Sequence, residues 1–302
     1  MKGKISNFDQ VAYLRRYTLT EGKEAGLKVI EVYNGRLRFL LNESKALDMM
    51  QLFHGGVNCS FLSKNGFTAR ELPFPKRFEG GMLYTCGLDS VGAREGYDLH
   101  GSIHNAPAKV LRAECGEEGI LIVAEIADTE LFGKNLALTR KVSTAIGSDS
   151  VTVEDTLVNS GTKEEDYCIL YHVNLGYPLL DEGVEITADE EEVLPRTAWA
   201  EERMKDRLRF SAPKNDEEER CYFIRHRRPL VKAVNRKLKK SFELAYSQET
   251  LPCFIQWCSA ASGDYALGLE PASTYLDGKF TYRKIAPDES VKFKLTLSVK
   301  NT

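Results

Sequence analysis

Short runs rich in β-branched and aromatic residues recur along the whole chain, and several alternate apolar with polar positions at a period of two. Val151 to Val158 shows this most cleanly, with Val151, Val153 and Leu157 separated by Thr152, Glu154 and Thr156. A period of two sends alternate side chains to opposite faces of a strand, so one face of this segment meets a core. The same reading predicts strands over Lys28 to Tyr33, Arg36 to Leu41, Ala108 to Ala113, Gly119 to Ile126, Asn135 to Val142, Ser150 to Val158, Tyr167 to Val173 and Ser290 to Val299. Turn signals stand between such runs: Asn34-Gly35, Asn65-Gly66, Gly147-Ser148-Asp149, Asn159-Ser160-Gly161 and Asp277-Gly278. Their spacing suits antiparallel hairpins and short loops. Helical patterning is sparse, with one short helix predicted within Asp9 to Thr20 and another over Thr197 to Arg209. Asp181 to Asp206 is otherwise acidic and loop-like, and Lys214 to Arg220 reads as a solvated hairpin tip. No alternation of strand and helix supports a parallel sheet, so the fold class is all-β.

The chain has 302 residues, more than a typical domain, but large β-sandwiches reach this size undivided. A single domain over residues 1–302 is expected. Its 41 basic and 44 acidic residues leave a net charge of −3, which gives neither a nucleic-acid backbone nor an anionic membrane an electrostatic reason to bind. A small or neutral ligand fits better. Met1 to Tyr13 carries Lys2, Lys4 and Asp9 with no apolar run behind them, unlike a secretory signal, and no later run reaches membrane-spanning length. The expected location is the cytoplasm. Seven cysteines, at 59, 86, 115, 168, 221, 253 and 258, fall mostly inside apolar runs without Cys-x-x-Cys spacing and read as reduced and structural. Cys253 and Cys258 lie five apart, on opposite faces of a strand, so they form neither a disulfide nor a metal pair. The basic concentration of Arg225, Arg227, Arg228, Lys232 and Arg236 reads as a solvated strand and loop before it reads as a phosphate site. There is no phosphate-binding loop or dinucleotide fingerprint, and neither a cofactor nor a metal is expected.

With only five histidines in the chain, the surroundings of each are informative. His100 and His104 lie in Asp98-Leu99-His100-Gly101-Ser102-Ile103-His104-Asn105-Ala106-Pro107, an irregular loop where glycine lets backbone and imidazole approach a ligand closely. A metal held by both would need a helix, which Gly101 and Pro107 oppose. His172 ends the apolar run Tyr167 to Val173 beside Asn174, so a strand fixes its direction toward a cleft, unless it is a core histidine satisfied by a neighbour. Glu270 interrupts Ala266-Leu267-Gly268-Leu269 just before Pro271. A partly desolvated carboxyl there has a raised pKa and suits proton transfer; the plainer reading is an edge-strand glutamate facing water.

In these residues the sequence resembles the aldose 1-epimerase (galactose mutarotase) superfamily, especially its bacterial aldose-epimerase-like branch, over most of the chain. Leu99-His100-Gly101 is similar to the family's Leu-His-Gly loop. Tyr171-His172-Val173-Asn174-Leu175-Gly176 resembles its His-containing strand, and Leu269-Glu270-Pro271 its late Leu-Glu strand. Leu251-Pro252 followed by the strand ending at Trp257 also matches in order. The resemblance implies a large antiparallel β-sandwich that interconverts aldose anomers. Glu270 would be the base at the anomeric hydroxyl, His172 the acid at the ring oxygen, and His100 a hydrogen-bonding partner of the ring or hydroxyl oxygens as charge develops.

The family's substrate-binding aspartate and early arginine have no confident counterpart; Asp89, Arg77 and Arg94 are nearby candidates. His104, Asn105 and Asn174 are further expected ligand contacts, and Trp257 and Tyr84 offer aromatic faces for a sugar. The partner expected is therefore a small sugar, with a homodimer left open. Two rivals stand beside this reading: a carbohydrate-binding protein without turnover, and an epimerase of a phosphorylated sugar read by Arg225, Arg227 or Arg228.

Overall fold

The alternation of Ser150–Asn159 is realised as a strand whose Val151, Val153 and Leu157 are buried while Thr152, Glu154 and Thr156 are half-exposed. The structure is a computed structural model that describes residues 3–276 and 281–302. The predicted turn at Asp277-Gly278 lies outside the described residues.

Five strands form a first sheet in simple sequence order: β1 (Tyr13–Thr18), β2 (Lys28–Tyr33), β3 (Leu37–Asn42), β4 (Asp48–His54) and β5 (Val57–Asn58). A single-turn helix α1 (Phe74–Arg77) follows. The second sheet begins with β6 (Leu83–Leu88), β7 (Lys109–Cys115), β8 (Gly119–Thr129), β9 (Asn135–Ala145), β10 (Ser150–Asn159), β11 (Glu165–Gly176) and β12 (Glu185–Pro195). After the short helix α2 (Ala198–Glu202) it continues through β13 (Arg220–Asn235), β14 (Lys240–Tyr246), β15 (Cys253–Ala261), β16 (Asp264–Ala272), β17 (Arg283–Ile285) and β18 (Ser290–Asn301). Its order is β17-β11-β16-β15-β13-β14-β18-β10-β9-β8-β7, with β6 on β11 and β12 on β13, and all its strand pairs are antiparallel.

The main core lies between the sheets, making an all-β sandwich: Ile30, Phe39 and Leu52 of the first sheet join one cluster with Ile122, Leu138, Val153 and Leu297 of the second. Burying an aliphatic side chain of this size contributes roughly 1.5–3 kcal/mol. β11 is buried on both faces. Its Ile169, Tyr171, Val173 and Leu175 point into the main core, whereas Cys168 and Leu170 join a second cluster with Tyr84, Cys86, Ile255 and Ala272 on the opposite face. Period-two geometry sends His172 to that second face as well.

Four expectations are corrected. Asp9 to Thr20 holds only a 3-10 turn at Phe8–Gln10, capped by Asn7, before β1 pairs with β2; Tyr13, Tyr17 and Thr18 favour the strand. The predicted helix over Thr197 to Arg209 shortens to Ala198–Glu202, capped by the Thr197 hydroxyl, and a 3-10 turn at Met204–Asp206. The acidic stretch is not a loop throughout, since it contains β12. Its Asp189, Glu191 and Glu192 meet Arg225, Arg227 and Arg228 of β13 at 3.0–3.5 Å, so the acidic and basic concentrations neutralise one another across two strands. Lys214 to Arg220 is likewise no hairpin tip: Lys214 exchanges backbone hydrogen bonds with Ala260 and Ser262 at the end of β15. None of the seven cysteines forms a disulfide. Among the described residues, no helix is long and apolar enough to cross a membrane.

Candidate functional site

The face of the second sheet turned away from the main core carries a cavity of about 530 Å³. Of the residues singled out in the sequence, His100, His172, Trp257 and Glu270 line it. The sheet register brings them together. Pairing of Leu170 with Ala272 and of Val173 with Leu269 sets His172 on β11 opposite Glu270 on β16, while Tyr84 pairs with His172 on its other side and Ile255 with Glu270. One row across four strands thus reads Tyr84, His172, Glu270, Ile255. The neighbouring row reads Asn174, Gly268, Trp257, Cys221.

His172 Nε2 stands 3.2 Å from Glu270 Oε1, and both side chains are almost wholly buried. Neither His172 Nδ1 nor Glu270 Oε1 has a hydrogen-bond partner among the described residues. Burial pushes the Glu270 carboxyl well above its ordinary range; nearby Glu219 adds to this and Arg196 partly offsets it. Burial, reinforced by His100, lowers His172 to about 3. Both shifts favour a neutral pair, with the proton on the carboxyl and the imidazole uncharged, because separated charges are costly away from water.

Gly268 makes this contact sterically feasible. A Cβ at that position would lie 2.4 Å from Glu270 Oε1 and 3.1 Å from both His172 Cε1 and Trp257 Cβ. A glycine inside an apolar strand is the signal that could have flagged it.

His100 is held by its loop in a left-handed conformation, φ 67°. Its Nδ1 lies 2.6 Å from the Val91 carbonyl, an acceptor only, so Nδ1 carries the proton and Nε2 is the unprotonated nitrogen of the neutral ring. Burial lowers its pKa as well. The adjoining Gly101 has φ 77°, and a Cβ there would stand 2.4 Å from the Ser90 carbonyl and 2.5 Å from that of Gly87. The Leu-His-Gly sequence therefore folds this way because its last residue must lack a side chain.

Aromatic rings complete the walls. Phe78 and Trp257 stand 5.7 and 5.5 Å from the His172 ring, and His100 meets it edge-on at 5.7 Å. The Trp257 indole donates to Glu219 Oε2 at 2.7 Å, and Glu219 pairs loosely with Arg196 at 3.8 Å. Phe78, Glu219 and Arg196 come from connections rather than strands, where no local period announces them.

The remaining expected contacts lie outside the cavity lining. His104 is enclosed between Asp48 at 2.7 Å and Glu79 at 3.1 Å and stacks on Tyr84 with ring centroids 3.7 Å apart. The two carboxylates outweigh burial and raise its pKa, making it a buried imidazolium. Asp48 in turn binds Arg140, which pairs with Asp155, whose Oδ2 accepts from Tyr171. Asn105 accepts from Lys45, Arg77 is buried against Asp98 and the Leu72 carbonyl, and Asp89 accepts from Ser102. Asn174 lies on the cavity face of β11 but turns its amide onto the His172 carbonyl at 3.0 Å. Arg94, the other candidate, binds the Asp89 carbonyl and Tyr282. Arg225, Arg227 and Arg228 are engaged with β12 and do not line the cavity. Among the described residues, no group of three or more His, Cys, Asp or Glu side chains is placed to hold a metal ion.

The family described as Domain of unknown function (DUF4432) matches residues 24–299. No curated protein matches the sequence. Solved structures share the fold, among them the following three. A candidate aldose 1-epimerase from Klebsiella pneumoniae is 21% identical with a TM-score of 0.84, covering 95% of this chain and 83% of that one. A galactose mutarotase-like protein from Clostridium acetobutylicum is 11% identical with a TM-score of 0.71, covering 97% of this chain and 100% of its own. A candidate mutarotase from Salmonella typhimurium is also 11% identical, TM-score 0.71, with coverages of 99% and 96%. The architecture is therefore the galactose mutarotase-like sandwich.

Proposed function

For a chain that belongs to the DUF4432 family, whose description assigns no activity, we propose an isomerase that interconverts the α and β anomers of an aldose by proton transfer. The observation that carries this reading is the His172–Glu270 pair, 3.2 Å apart, buried and aimed at one cavity. Mutarotation needs a base at the anomeric hydroxyl and an acid at the ring oxygen, and nothing else has to be transferred.

The proton distribution gives the pair a starting state. The protonated Glu270 is the loaded acid and neutral His172 the vacant base, so ring opening moves the hydroxyl proton to His172 and the Glu270 proton to the ring oxygen. The C1 oxygen becomes the aldehyde oxygen as the bond from C1 to the ring oxygen breaks. After rotation about the C1–C2 bond, ring closure on the other face returns both protons. The family resemblance assigns the opposite starting roles, Glu270 as base and His172 as acid. That assignment runs through the same two states in the other order, so the pair supports catalysis either way. His100 stands beside His172 to orient the sugar.

The reading is tested by following freshly dissolved α-anomers of several aldoses by NMR, with wild type beside His172→Ala and Glu270→Gln. Acceleration by wild type and its loss in both variants is expected. A sugar that binds without any acceleration would instead make the protein a carbohydrate-binding module.

A further inference from the structure

The cavity is larger than one sugar ring requires. At the ~30 Å³ that a water molecule, a single heavy atom, occupies in the liquid, the twelve heavy atoms of a hexose take no more than about 360 Å³ and the twenty-three of a disaccharide no more than about 690 Å³, so a cavity between these values encloses one ring and part of a second. The cavity measures about 530 Å³.

Its shape is set by two aromatic walls that converge on His172. On one side Phe78 stands against His172, with Phe74 behind it at 5.0 Å; on the other Trp257 does so, with Phe61 behind it at 6.4 Å. Each wall is thus two rings deep; only the first ring of each touches the acid/base pair, while Phe74 also meets His100 edge-on at 5.0 Å. The cationic groups of the lining are already matched. Lys64 meets Asp264 at 2.7 Å and Arg196 meets Glu219 at 3.8 Å, which leaves hydrogen-bonding capacity for hydroxyls without an uncompensated charge for a phosphate.

We propose that the substrate is a reducing disaccharide whose reducing ring sits at His172 and Glu270 and whose second ring lies against Phe61 and Phe74. This rests on the mutarotase reading above. The second ring presents apolar C–H surface to the outer aromatic pair and hydroxyls to the matched ion pairs, which suits an uncharged sugar.

The test compares mutarotation of fresh β-maltose, α-lactose and β-cellobiose with that of α-glucose and α-galactose, in wild type, Phe61→Ala and Phe61→Leu. At least one disaccharide should exceed both monosaccharides in kcat/KM by about tenfold. Either variant that folds should lower that value by about tenfold while changing monosaccharide turnover less than about twofold. Monosaccharides preferred over all three disaccharides, or variants that depress both classes equally, would overturn the disaccharide assignment and leave the mutarotase reading intact. If no sugar is turned over, calorimetric binding to the Glu270→Gln protein separates the two ideas. Phe61-dependent disaccharide binding then keeps the ligand class and removes the enzyme, and no binding removes both.

Discussion

His172 and Glu270 face one another across adjacent antiparallel strands, Nε2 3.2 Å from Oε1, in a position fixed by backbone register rather than by any hydrogen bond between the two. Each is therefore presented to the cavity by a sheet whose other face is the main core. Such mounting holds catalytic groups to within a fraction of an ångström without a loop having to order first.

If the two groups act as one unit, their losses will not add. His172→Ala and Glu270→Gln should each reduce kcat by about 10²–10⁴-fold, and the double variant should be little worse than either single one. Steady-state mutarotation of all three proteins measures this. Additive losses would mean two independent roles.

The raised Glu270 pKa has a sign that stability can read. The folded chain keeps this proton above the ordinary 4.5 at which the unfolded chain releases it. Its contribution to stability is complete below that value and is lost as pH rises toward the folded pKa. As pH rises above 4.5, wild type should lose stability relative to Glu270→Gln, as followed by urea midpoints at each pH. Parallel curves for the two proteins would mean the carboxyl is ionised when folded.

His172 works in the other direction. Its folded value of about 3 lies below the ordinary 6.5, so its contribution is complete above 6.5 and is lost as pH falls toward 3. Nitrogen-15 NMR of histidine-labelled protein should therefore show His172 uncharged at pH 5 while His104, clamped by Asp48 and Glu79, is still protonated. An imidazolium at His172 at that pH would invalidate the neutral starting state.

Gly268→Ala places a methyl group 2.4 Å from the Glu270 oxygen. The expected cost is about 1–3 kcal/mol of stability, together with a kcat loss comparable to that of Glu270→Gln because the pair is forced apart. Unchanged kcat would show that the contact is dispensable. By contrast, His104→Ala leaves buried carboxylates without their partner and should cost about 3–5 kcal/mol, with kcat of the folded fraction within about twofold of wild type. Thermal melts and assays below the transition separate the two cases.

Much of the architecture is legible in residue pattern alone. The strands from β8 to β10 announce themselves because one face of each meets a core, so burial and alternation coincide. β12 is hidden because its Asp189, Glu191 and Glu192 read as solvated loop until the arginines of β13 are laid beside them, a pairing that lies more than thirty positions away in the chain. The site divides in the same way. His100, His172 and Glu270 lie in short motifs and could be named, whereas His104 shares its loop with His100 yet faces a buried carboxylate pair instead of the cavity. Nothing local distinguishes the two histidines, since the difference is made by Asp48 on β4 and by Glu79. Phe61, Arg196 and Glu219 arrive from connections whose composition carries no period.

That separation has a consequence for descent. The proton-handling pair belongs to strands whose reverse faces are committed to the core, so those positions are hard to exchange. Much of the wall that judges the ligand, Phe61, Phe74, Phe78, Arg196 and Glu219, hangs from connections and a single helical turn, which tolerate replacement and changes of length. On the proposed reading, lineages built on this frame could trade one sugar for another by altering those connections while keeping the same reaction, and relatives with little overall identity would be expected to retain the strand-borne histidine and glutamate.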